Sequence, residues 1–118
     1  MKTKILILTA VLAFGTVRVA WADEVSPEAA YLAENRAAMT KMMKDMMVKP
    51  TGDVDRDFVE MMIPHHQGAI DMAVAFLRYG SNDQLKRLAQ DIIVAQQKEI
   101  EVMRLSLGEP RQPGAKVQ

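Results

Sequence analysis

No stretch of this chain alternates apolar and polar residues, so the half-buried strands of a sheet have nothing to form from. Apolar residues recur instead at spacings of three and four, and Pro, Gly and capping residues cut the pattern into three helical blocks. The first opens at Ser26-Pro27-Glu28, a capping serine with proline at the first helical position. It runs to about Val48 and stops at Pro50-Thr51-Gly52. The second opens on Asp53 or Asp55 and ends at Tyr79-Gly80. The third is expected to start at Ser81, with Gln84 completing a capping box, and to end near Gly108. Short connections make successive helices antiparallel neighbours, which predicts an all-α, up-down-up helical bundle.

Before the first helix lies a different kind of segment. Lys2 and Lys4 precede the apolar run Ile5 to Gly15, and Ala20-Trp21-Ala22 follows as a small-residue cleavage site. That layout is a secretory signal, and Arg18 leaves the apolar run far short of the ~20 residues a spanning helix needs. Residues 1–22 are therefore expected to be removed, residues 23–108 to form the helical domain, and residues 109–118 to fray as a tail. Cleavage takes three of the 15 cations and none of the 15 anions, leaving 96 residues with net charge −3. The expected destination is periplasmic or otherwise exported, with no membrane attachment after cleavage. The chain has no cysteine, so disulfides, thiolate zinc sites and thiol nucleophiles are excluded. Balanced charge and few aromatics leave no surface for nucleic acid. Such a small unit must complete itself by helix packing, a bound ligand or a second copy of itself, a homodimer.

The side chains expected on the inner faces are unusual. Met39, Met42, Met43 and Met46 share one side of the first helix, with Leu32 above and Met47 at the edge. Leu has better-defined rotamers and would normally fill such a face. On the second helix Met61, His65, Gly68 and Met72 form one stripe, and Met62, His66, Ala69 and Ala73 the next. Pro64 and Gly68 flank the histidines, and the lost hydrogen bond and missing side chain predict an opened turn with a pocket. The third helix is expected to turn Leu85, Leu88, Ala89, Ile92, Met103 and Leu107 inward, with Gln96 and Glu99 among them. Glu99 either accepts from His65 or His66, outside a metal's own ligands, or reaches solvent at the bundle end.

Thioethers with imidazoles suit Cu(I), and by analogy Ag(I), while Mg, Ca and Mn prefer oxygen. Zinc fits less well with one inward carboxylate, and a carboxylate-bridged di-iron site would need Glu-x-x-His on two helices. No placed Ser–His–acid set or phosphate loop points to an enzyme. The candidate ligands are His65, His66, Met61, Met62, Met72, Met103, Met39, Met43 and Met46, with Gln96 and Glu99 behind them.

The run Asp57 to Ala73, which contains Met61-Met62-Ile63-Pro64-His65-His66-Gln67-Gly68, closely resembles the signature of an exported family catalogued as domain of unknown function 305. Ile92 to Ile100 with Met103 resembles its second motif. Members of that family include the CopM-like copper metallochaperones. The resemblance implies a ferritin-like, periplasmic bundle that binds copper through Met62, His65, His66, Met72 and Met103, with Gln96 and Glu99 in the signature. It also implies a copper-accepting or copper-exporting envelope protein as partner. A second reading is a periplasmic helical chaperone, a module that binds proteins through a Met-rich apolar surface and carries no metal. The histidine pair separates the two, because a chaperone surface does not need it.

Overall fold

A computed structural model describes residues 24–110; the expected signal segment and most of the expected tail lie outside them. Three helices make up the fold, α1 (Pro27–Asp45), α2 (Val54–Tyr79) and α3 (Asp83–Ser106). Among the described residues there is no strand.

Local chemistry sets the boundaries. Ser26 caps α1, its Oγ accepting from the Ala29 N–H at 3.1 Å with Pro27 in the first turn. Asp53 caps α2, accepting from the N–H groups of Asp55 and Arg56. Asn82, not Ser81, caps α3, its Oδ1 accepting from the Leu85 N–H at 3.0 Å. Asn caps as well as Ser, and starting one residue later leaves Gly80 and Ser81 free to turn the chain. Gly108 ends the bundle at φ 77°, a left-handed conformation that favours glycine. α2 runs unbroken through Pro64.

The up-down-up bundle is built around α2. Met42 of α1 packs on Gly68, and Glu99 of α3 meets His66. Those two α2 positions differ by two residues, about 200° around a helix, so α1 and α3 lie on nearly opposite sides. No α-carbon of α1 comes within 8 Å of one in α3. The result is closer to a layer of three helices than to a closed triangle, and it leaves a notch over α2.

Small residues form the packed seams. Ala38, Ala73, Ala75, Ala89 and Gly68 are buried with Val59, Ile70 and Ile100, and no described side chain is completely enclosed. Their size lets the helix axes approach. This corrects the expected inner faces. Leu85, Leu88 and Ile92 are exposed on α3, as are Leu32, Met39 and Met43 on α1. Of the expected stripes, Ala89, Ala73 and Gly68 are buried and Met103 and Leu107 half-buried, while the larger Leu85, Leu88 and Ile92 turn outward.

One polar clasp ties the far end of α1 to α2. Glu34 accepts from Arg78 Nη1 at 2.6 and 2.5 Å and from the Tyr79 hydroxyl at 2.7 Å. Beside it the Tyr31 and Phe76 rings meet edge-on, with centroids 6.5 Å apart. These bonds hold the Glu34 carboxyl below its ordinary range, Tyr79 first and Arg78 second. The same Glu34 bond, with burial, pushes the Tyr79 phenol above its own.

Candidate metal centre

The histidine pair sits at mid-length on α2, and its two rings behave differently. Their centroids are 6.0 Å apart at an interplanar angle of 63°. His66 points at α3: Nδ1–H donates to the Met62 carbonyl at 2.8 Å, and Nε2 lies 2.6 Å from Glu99 Oε2. Its side chain keeps 15% of its exposure, whereas Glu99 keeps 58% and can swing into solvent. Of the two sequence alternatives for Glu99, pairing with a histidine holds. Both ring nitrogens are thereby engaged, and His66 is a strut between helices.

His65 is exposed, contrary to the expectation that both rings are enclosed. The cause is the notch: α1 and α3 do not close over α2 at this level. No hydrogen bond with a described residue occupies the His65 ring. Its lone pair is available.

Helix register decides which thioethers accompany each ring. Along α1, Met46 lies four residues after Met42, which in an antiparallel pair brings it level with Pro64, beside His65. Met61 lies one turn before His65 on the same stripe. Met46, Met61 and His65 thus lie at neighbouring levels along the α1–α2 side, with Met42 one turn away on Gly68. On the other seam Met62 is four residues before His66, and Met103 four after Glu99, so these two are level. Met62, Met103 and His66 form an α2–α3 group, all half-buried, with the half-buried Gln96 one turn before Glu99.

The remaining candidates are not gathered in. Met72 is two turns beyond His65, at the level of Ala38. Met39 and Met43 are exposed and with Leu32 line a shallow groove on α1 whose far end is Met47. The expected pocket at Gly68 is filled: a β-carbon there would lie 2.5 Å from Met42 Sδ and 2.7 Å from Met42 Cβ. Met42 was therefore underweighted in the sequence, because only the structure shows that Gly68 exists to admit it.

Among the described residues no three His, Cys, Asp or Glu side chains converge as a metal cage.

The fold and these groups define a small helical protein with a Met-flanked histidine pair on its central helix. The chain belongs to the family described as Domain of unknown function (DUF305), whose model matches residues 15–107. It is also similar to an uncharacterized protein, L153, of Acanthamoeba polyphaga mimivirus, 40% identical over 55 residues. That match covers 47% of this chain and 36% of the viral protein, so the chain spans only about a third of that relative.

Proposed function

We propose that this is an exported protein that binds a soft monovalent metal, Cu(I) or its mimic Ag(I), to sequester it or hand it to a copper-accepting or copper-exporting envelope protein. The observation that carries this reading is His65, an exposed imidazole without a described partner, flanked by Met61 and level with Met46. Imidazole plus thioether is a donor set for Cu(I). His66 can join through Nε2 once Glu99 moves aside, with Met62 and Met103 in reach of the same level. The resemblance of the Asp57–Ala73 segment to the CopM-like metallochaperones supports the same metal.

The test is competition for Cu(I) against a chromophoric chelator. Met46, Met61 and Met62 replaced together by Leu keep volume and helix propensity. Affinity should drop at least tenfold, about 1.4 kcal/mol, and His65→Ala should do the same alone. Unchanged affinity in folded variants would falsify the proposal. The second reading, a protein-binding module without metal, draws support from the exposed row Met39, Met43 and Met47. It expects no Cu(I) competition at all.

A further inference from the structure

One side of the three-helix layer is largely apolar and uncovered. A right-handed helix fixes which residues share it. Measured from the seam residues Ala38 and Met42, Gly68 and His66, and Ala89 and Ile100, the side that carries His65 also carries Leu32, Met39 and Met43 of α1. From α2 it takes Phe58, and from α3 Leu88 and Ile92, all of them exposed. The opposite side carries Glu60, Gln67, Asp71 and Arg78, as a solvated face should. Among the described residues this side is largely apolar, with the exposed Glu99 seven residues after Ile92 as a charge on it, and such a surface calls for an occupant.

We propose that the occupant is a second copy of this chain, laid face to face about a two-fold axis parallel to the helices, so that α1 of each copy covers α3 of the other. Three things on the molecule select it. The first is area: three helices ~9 Å apart and ~30 Å long present roughly 800 Å², which is what each partner of a standard stable interface contributes. The second is that each copy alone encloses no side chain completely, so doubling the layer supplies the missing core. The third is charge at matched levels. Arg36, on the margin of the α1 groove, lies six residues before Met42, which places it level with Val74 of α2. Asp91, beside Leu88 and Ile92, lies eight before Glu99, which also places it level with Val74. Neither forms an ion pair among the described residues. A two-fold parallel to the helices preserves level and sets Arg36 of one copy beside Asp91 of the other, twice. A two-fold across the helices would stack α1 on α1 and lose both pairs. A net charge of −3 per copy after removal of residues 1–22 is only a small repulsion. The same axis brings the two His65 rings to one level across the notch. Association itself needs no metal, so it stands or falls apart from the copper reading.

The experiment is light scattering and sedimentation of protein purified from cells expressing the full chain, with a copper chelator throughout. At roughly 100 μM, well above the Kd expected of a standard-size interface, the mass should be twice that of one chain. Met39→Glu places a charge on the α1 part of the face, opposite α3 of the other copy, and should give single chains with helix content unchanged, because Met39 is exposed in one copy. Arg36→Glu should weaken the dimer at least tenfold, and adding Asp91→Arg to it should restore association. A one-chain mass for the wild type overturns the proposal. So does a dimer indifferent to Met39→Glu, or a charge swap that fails to restore pairing.

Discussion

A β-carbon at position 68 would sit 2.5–2.7 Å from Met42 atoms that include its Cβ, which cannot move without moving α1. Gly68→Ala should therefore destabilise the fold by about 1–3 kcal/mol, the usual cost of overpacking a tight seam. Pairing it with Met42→Ala should recover part of that loss, since the smaller side chain makes room. A urea titration of the single and double variants checks both, and additive losses would show that the two residues do not share the seam. His66 offers a second single-residue test. Glu99→Gln keeps the shape but removes the charge behind Nε2, freeing His66 to leave its strut position. Cu(I) affinity should then rise while the helices loosen slightly. A weaker site in that variant would mean that the carboxylate assists the metal directly.

Most helix ends read well from sequence, and helix faces only in part. Ser26, Pro27, Asp53 and Gly80 act within one turn, and local hydrogen bonds decide them. The faces depend on which neighbour arrives, and here the neighbours pack on alanines while Leu85, Leu88 and Met43 turn outward. The His66–Glu99 pairing was anticipated because an inward acid needs a partner, but the α1 partner of Gly68 was not. The Glu34 clasp was also invisible, because Arg78 alone reads as an ordinary solvated cation. That clasp has a pH window. Glu34 is held below its ordinary range, so its contribution is present above the unfolded carboxyl's titration and is lost as pH falls through the folded one. Tyr79 is raised, so its contribution is complete below the ordinary phenol range and is lost as pH rises through the folded one. Thermal melts should show Glu34→Gln less stable than wild type at neutral pH, with the gap closing in acid. Tyr79→Phe should show a gap that narrows both in acid and in strong alkali. A Glu34→Gln gap that persists in acid would remove the carboxylate from the explanation.

At the scale of the whole molecule, two coverings compete for the same sulfur atoms, and methionine oxidation tells them apart. Peroxide converts an accessible thioether to a sulfoxide and spares one that is packed or bound to metal. In the isolated chain the order should follow exposure: Met47 at 78% first, then Met43 at 60% and Met39 at 46%, with Met42, Met46 and Met103 slow. A second copy on the open face hides Met39 and Met43 and leaves Met47, at the end of α1, uncovered. Raising protein concentration without metal should therefore slow oxidation of Met39, Met43 and Met61, which shares the covered side with His65, and leave Met47 unchanged. Copper acts on the groups around the histidines and shares Met61 with that face. Adding Cu(I) at a concentration too low for dimers should protect Met46, Met61 and Met62 and leave Met43 and Met47 unchanged. Peptide mapping by mass spectrometry reads every site in one digest. If concentration protects no methionine, the face-to-face copy is wrong while the metal groups stand; if copper protects none, the reverse holds. Met47 is the internal control, because neither covering reaches it, and a loss of its reactivity in either arm would signal general aggregation.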